Sequence, residues 1–456
     1  MKVASRLLRV IGRCGDGFYL SNFFDRLRTG VTMKRNLRSL KEYHLGAKRD
    51  FSHIKEQYLA RTVRYACARS PYYHEVFQRS GVGADNLLDR WNQVPLLDKK
   101  EIQCNLNRIL CVEPAKNYVG YQTTGGSTGE PFAFHTLGGV DAEHQAFLFD
   151  WMGWKPGDRI LAFDGTTVPE LERAKGIFWA VKSKCELPYG SVAMSSHYLT
   201  PSTIDHYLRG LVTIRPAIIR GYPSFLEAIA RLILERGYRF NFKIKGVQLT
   251  SESFYENQVS VIQSAFCAPV YSQYGHAEAS VFGYTINDTL LTYCSPFYGF
   301  TEVVDEHGCH VSEGEVGEIV VTGFHNYAMP FIRYRTGDLG EYAGTEDGLV
   351  KIRKVHGRTQ DIVYTRDLRA IRLTALVFGQ HYKAFKNITK WQLFQDQAGV
   401  VRVRIIPGQD YSQADEAELA EGFSSIAGID TVFEYVDTLP LTKRGKSKFL
   451  VQMLVV

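Results

Sequence analysis

The segment 121–131 carries the densest set of chemically useful residues in this chain. Gly125, Gly126 and Gly129 stand among Thr123, Thr124, Ser127 and Thr128, and Pro131 closes the run. Glycine lets a backbone approach a ligand closely and adopt angles barred to other residues. Successive backbone N–H groups in such a turn form a nest for anions, and hydroxyls add donors. Polyphosphate is the guest these residue types suit. No Gly-Lys-Ser/Thr closes the loop, so it is not of the Walker type. Four more clusters follow: Tyr274-Gly-His-Ala-Glu278, Arg333-Tyr-Arg-Thr-Gly-Asp338, Gly357-Arg-Thr-Gln-Asp361 and Leu439-Pro-Leu-Thr-Lys-Arg-Gly-Lys446. Taken singly, each has a plain reading. A Gly-Asp pair makes a turn, a glutamate starts a surface helix, and a lysine near a terminus is solvated.

In this order, the five clusters resemble the adenylate-forming superfamily of acyl-CoA synthetases, luciferases and adenylation domains. The resemblance spans about 120 to 448. Arg220-Gly-Tyr-Pro-Ser224, Ser251-Glu-Ser253 and Met329-Pro-Phe-Ile-Arg-Tyr334 look like its phenylacetate–CoA ligase branch, and most like relatives in bacterial capsule and surface-polysaccharide gene sets. The resemblance implies that ATP activates a carboxylic acid as an acyl-adenylate. Such an enzyme holds an extended polyphosphate and stabilises charge at the phosphorus under attack. It assigns the phosphates to Thr124, Gly125, Gly126, Ser127, Thr128 and Gly129. It makes Glu278 both catalytic and the magnesium ligand, a hard oxygen donor for a hard cation. Tyr274 and Gly275 fall on the adenine, while Asp338 and Arg358 fall on the ribose and phosphate. Lys446 matches the mobile catalytic lysine that bridges the α-phosphate and the carboxylate. Tyr222, Pro223, Ser251, Glu252 and His276 would line the acyl pocket, with Arg220 available to orient a polar group. Gln360 and Asp361 would form the hinge.

Three positions depart from the family pattern. Ala277 replaces a Ser or Thr, Glu130 stands where the loop often ends in Lys, and Leu368 occupies a turn that commonly holds glycine. The last leaves the acceptor open between CoA and an amine, such as an amino acid or amino sugar. Ala277 and Glu130 keep open a third reading, a nucleotide-binding relative without catalysis.

The elements that position these residues follow from patterning. Residues 34–110 are rich in Lys, Arg, Glu and Leu and predict helices. From 117, short apolar runs at 159–163, 217–220 and 246–249 alternate with helical spacing such as Phe225, Leu226, Ile229, Leu232 and Ile233, the mark of parallel α/β architecture. Residues 301–322 alternate apolar and polar as hairpins do. The fold class expected is α/β: a large multi-sheet N-terminal domain, 1–357, with a mobile α+β lid, 358–456. The large domain divides into a mainly helical part (1–116), an α/β core (117–299) and a small β-rich subdomain (300–357).

Composition bounds the rest. The chain has 456 residues, 45% hydrophobic and 22% charged, and so can bury a large core. A net charge of +6 suits anionic small molecules or an acidic membrane surface and does not argue for nucleic acid. Eight cysteines without a CxxC pair suit a reducing compartment such as the cytoplasm. Cys294, His307, Cys309 and His310 lack paired zinc spacing. Leu7, Leu8, Val10 and Ile11 among Arg6, Arg9 and Arg13 allow either a packed first helix or peripheral membrane contact through residues 1–30.

Overall fold

The computed structural model describes residues 17–113, 119–124, 132–254, 256–286, 290–358, 362–372, 384, 387–424, 428–441 and 448–454. The first part is helical, as its composition predicts: Gly17–His44, Ser52–Arg69, Pro71–Ser80, Lys99–Cys104 and Leu106–Ile109. In Ser52–Arg69, the buried residues Ile54, Tyr58, Leu59, Thr62, Val63 and Ala66 make one stripe at helical period. The next helix starts where the Ser70 hydroxyl accepts from the Tyr73 N–H and Pro71 fixes the first turn. It stops at Gly81, whose φ of 61° is left-handed.

A hairpin of β1 (Gly120–Thr124) and β2 (Phe132–Thr136) leads into a twelve-stranded sheet. Its strands are β3 (Ile160–Asp164), β4 (Trp179–Val181), β5 (Val192–Ser195), β6 (Ile218–Gly221), β7 (Gly246–Thr250), β8 (Val270–Gly275), β9 (Phe282–Tyr284), β10 (Thr292–Cys294), β11 (Gly299–Val304), β12 (Val316–Gly323), β13 (Tyr334–Glu346) and β14 (Leu349–Arg358). The order is β11-β12-β13-β14-β10-β9-β8-β7-β6-β3-β5-β4. The run β8-β7-β6-β3-β5 is parallel. The β-rich segment beyond 299 therefore continues the same sheet as the parallel core. β7 is buried along its whole length, as a strand covered on both faces should be. The helices Ile204–Ile214, Pro223–Glu235 and Glu256–Phe266 make the crossovers. In Pro223–Glu235, Phe225, Leu226, Ile229, Ala230 and Ile233 face the core, and each of these but Ala230 contributes roughly 1.5–3 kcal/mol on full burial.

From β3 the chain passes to β5 on one side, then returns to β6 on the other. Such a reversal opens a crevice outside the carboxyl ends of the strands, the usual ligand site of open α/β sheets. Gly221 allows the close approach there: a Cβ would meet the Phe163 Cβ at 2.8 Å.

Beyond β14, β15 (Ile362–Tyr364) pairs with β16 (Ala370–Arg372). A separate four-stranded sheet follows, ordered β19-β18-β17-β20, from β17 (Ile388–Gln397), β18 (Val400–Pro407), β19 (Asp430–Tyr435) and β20 (Leu450–Gln452). The helix Gln413–Ser424 belongs to this part, which has its own core around Leu393, Val401, Val403, Leu419 and Phe423.

Arg333, within one of the sequence clusters, holds the fold together. Its buried guanidinium lies 3.2 Å from Glu302 and donates to the carbonyls of Val94 (2.7 Å), Asn92 (3.1 Å) and Gly308 (2.9 Å). The Trp91 Nε1–H donates to the same Glu302 at 2.9 Å. Removing one partner of a buried pair strands the other charge, at about 3–5 kcal/mol. Arg333→Leu is thus expected to lower unfolding free energy by about that much in urea titration, and adding Glu302→Leu should recover part of it.

Leu368 has φ = 60° and is exposed. A left-handed L-residue costs roughly 1–2 kcal/mol, partly offset by the entropy a glycine would lose on folding. Leu368→Gly should therefore stabilise the protein by up to about 1 kcal/mol, seen as a higher urea midpoint with an unchanged slope.

Candidate active site

The carboxyl ends of five parallel strands bring together Asp164 at the end of β3, Ser195 at the end of β5, Arg220 and Tyr222 at β6, Ser251 and Glu252 after β7, and Tyr274 with His276 at β8. Their geometry is set by local bonds. Tyr222 precedes the helix Pro223–Glu235, whose first turn Pro223 preorganises. A Glu252 oxygen accepts from the Ser224 N–H at 3.1 Å, placing an anion at the positive helix end. Ser251 holds a φ of 69°, a left-handed angle that turns the chain sharply out of β7. Lys390 of β17 feels both Glu227 and Glu252, and burial lowers its pKa.

Past β8 the backbone presents a carboxylate cluster. The Tyr274 hydroxyl donates to Asp338 Oδ2 at 2.9 Å. Burial, then the charge of Asp338, pushes the Tyr274 phenol well above its ordinary value, so it stays a donor. Asp338 is opposite Arg358 in the β13–β14 register, so the backbone places the acid and the arginine side by side. Glu278 is buried. One of its oxygens bonds His276 Nδ1 at 2.9 Å, and the other accepts from the Tyr334 hydroxyl at 2.9 Å. Burial alone would raise its pKa. The attraction of His276 and the hydrogen bonds from His276, the Glu278 backbone and Tyr334 outweigh burial and hold it at about 2. His276 Nε2 is buried without a partner. Ala277, between them, is exposed and carries no hydroxyl.

Because the folded pKa of Glu278 lies below its ordinary 4.5, the folded state favours the ionised form. The resulting stability is full above about pH 4.5 and is lost as pH falls toward about 2. Urea unfolding at pH 5 and pH 3 should show a larger loss for the wild type than for Glu278→Gln.

Residues 364–453 match the family described as the CapK C-terminal domain. Protein CapK of Staphylococcus aureus is 23% identical over 454 residues, covering 94% of this chain and 96% of that protein. A phenylacetate-coenzyme A ligase of Thermus thermophilus is 23% identical over 354 residues, covering 72% and 77%. These similarities support the adenylate-forming superfamily, in its phenylacetate–CoA ligase-like branch near CapK. A 2-hydroxyisobutyryl-CoA ligase, solved in the postadenylation state with R3-HIB-AMP, superimposes with a TM-score of 0.65. At 19% identity it covers 87% of this chain and 88% of that one, and it shows the shared fold.

Of the residues the adenylate-forming resemblance selects, Tyr222, Pro223, Ser251, Glu252, Tyr274, Gly275, His276, Glu278 and Asp338 are described: Tyr274, Gly275 and Asp338 lie in β8 and β13, and the others in the segments that follow β6, β7 and β8. Thr124 and Arg358 are placed by backbone only, as the last residues of β1 and β14. Gly125, Gly126, Ser127, Thr128, Gly129, Gln360, Asp361 and Lys446 lie outside the described residues, as do residues 1–16. Sequence reasoning gave no role to Tyr334, which fixes Glu278, or to Asp164 and Lys390. Tyr334 was detectable as the end of the Met329–Tyr334 cluster, but its partner is 56 positions away. Of the zinc candidates, Cys294 is buried in β10 while His307, Cys309 and His310 are exposed on a hairpin. Among the described residues, no helix is long and apolar enough to cross a membrane.

Proposed function

We propose that this protein is an AMP-forming ligase that activates a carboxylic acid with ATP and transfers the acyl group to coenzyme A. The observation that carries this reading is the pairing of the Tyr274–Asp338 contact with an ionised, buried Glu278 four positions beyond Tyr274. The first offers a ring face and a carboxylate for adenosine, the second an anion suited to a metal. Phenylacetate-coenzyme A ligases and the 2-hydroxyisobutyryl-CoA ligase carry CoA in their names, which supports the thiol acceptor.

Mg²⁺ takes one or two carboxylates together with substrate phosphates, so a single ionised glutamate fits it. The bonds from His276, Tyr334 and the backbone still leave the Glu278 carboxylate acceptor capacity for a metal. The metal would neutralise charge on the polyphosphate. The chain's own residues would do the rest. Tyr274 and Asp338 would hold the nucleoside, and His276 would orient Glu278. Lys446 would bring positive charge to the reacting carboxylate and α-phosphate, moving with the lid about Gln360 and Asp361. Carboxylate-dependent exchange of labelled pyrophosphate into ATP tests this, because it reads adenylation without an acceptor. Exchange with no acid would oppose it.

An amine acceptor is the second reading. It is favoured by Leu368, an exposed leucine in left-handed conformation where the family's acceptor-tunnel turn commonly uses glycine. Incubating the acyl-adenylate with CoA or with amino acids and amino sugars, followed by mass analysis, separates the two.

A further inference from the structure

Among the described residues, Arg220 is a cation with no anion. It is the penultimate residue of β6 at the switch point, between Ala162 of β3 and Gln248 of β7 in register. It is half-buried, and among the described residues no carboxylate lies at ion-pair distance. Its Nε donates to Gln248 Oε1 at 3.4 Å. Gln248 is fully buried and passes a bond of 3.1 Å from its Nε2 to Gln145 Oε1, itself buried on the helix Asp141–Trp151. The Tyr189 ring lies 5.0 Å from the guanidinium carbon on one side. The acid nearest in the chain's electrostatics, Asp164, turns Oδ1 to the Thr166 N–H and hydroxyl instead. A relay of two buried glutamines and an aromatic face thus fixes a guanidinium whose outer nitrogens have no acceptor among the described residues. Desolvating such a charge without a partner is costly, which argues that its partner is a ligand.

We propose that the acid activated here carries a second carboxylate, and that Arg220 selects it as a bidentate partner. The inference rests on the acyl-activating reading above. Distance supports it. β6 and β8 are two strands apart, so the Arg220 backbone is about 10 Å from the end of β8, where His276 and Glu278 begin the adenylate side. With the reach of the arginine side chain, that gap fits an acid of roughly four to eight carbons lying across the mouth of β7. Fork-to-fork contact is the strong form of carboxylate recognition and is poorly replaced by lysine.

The test uses the full chain with four- to eight-carbon dicarboxylates, their hydroxylated forms, the matching mono-amides and simple fatty acids. Pyrophosphate exchange should favour a dicarboxylate over its mono-amide by about 100-fold in kcat/KM. Arg220→Gln keeps the bond to Gln248 and should reduce that ratio to a few-fold without changing KM for ATP. Arg220→Lys, which keeps the charge without the fork, should fall between. In parallel, dicarboxylates without ATP should raise the melting temperature of the wild type and not of Arg220→Gln. A wild type that prefers mono-amides or fatty acids, or a ratio unchanged in Arg220→Gln, overturns the inference and leaves adenylation standing. An Arg220-dependent melting shift without any exchange sustains the dicarboxylate site and removes the adenylation reading. Neither exchange nor shift with any dicarboxylate overturns the proposed site.

Discussion

Glu278→Gln is expected to lower pyrophosphate exchange by about 10²–10³-fold, the scale seen when one preorganised electrostatic group is removed from a charge-stabilising site. The substitution keeps size and hydrogen-bonding shape but removes the negative charge. Glutamine still accepts from the Tyr334 hydroxyl, so the fold around 274–280 should persist. It no longer offers a carboxylate to His276 or an anionic oxygen to a divalent cation. The defect should therefore be steepest at limiting Mg²⁺. Raising Mg²⁺ should recover part of the loss if Glu278 binds the metal, and none if it serves only to orient His276. Exchange within tenfold of wild type at every Mg²⁺ concentration would rule out both roles.

Lys446→Ala should lower the same exchange by a similar factor, about 10²–10³-fold, and for a different reason. A mobile lysine serves only the step in which charge builds at the α-phosphorus. Transfer from a preformed acyl-adenylate to the acceptor should then stay within a few-fold of wild type. Lys443, Arg444 and Lys448 flank it, and alanine at each should cost little. Equal loss in both half-reactions would place Lys446 in general binding instead, and would also weaken the case for a lid that rotates about Gln360 and Asp361.

The two experiments divide the site along the line between what patterning reveals and what it does not. Glu278, Tyr274 and Asp338 were readable because each sits in a short ordered cluster with turn-forming neighbours. Those turns lie on strand ends, where local chain direction is written in local sequence. The parallel strands were readable for a similar reason. Apolar runs at 159–163, 217–220 and 246–249 became β3, β6 and β7 within a residue or so, and the helical face of Phe225, Leu226, Ile229 and Ile233 became the crossover between the last two.

The partnerships were not readable. Nothing local says that Tyr334 will hold Glu278, that Glu302 will neutralise Arg333, or that Glu252 will cap the helix after Tyr222. Each joins segments separated by 28 to 56 positions, and which segments meet is decided by strand order. Strand order comes from burying apolar faces collectively, a property of the whole sheet rather than of any window. The same holds for Arg220. Its sequence neighbours mark a turn into a helix. Only the reversal between β3 and β6 puts it at the crevice mouth, and only the buried Gln248–Gln145 relay leaves its guanidinium fixed and, among the described residues, without an anion. By itself the sequence determined the residue types available for acyl activation and the alternation that builds a parallel sheet. The tertiary structure decided which of those charges are satisfied internally and which are left for a ligand, because burial and pairing depend on neighbours brought from far along the chain.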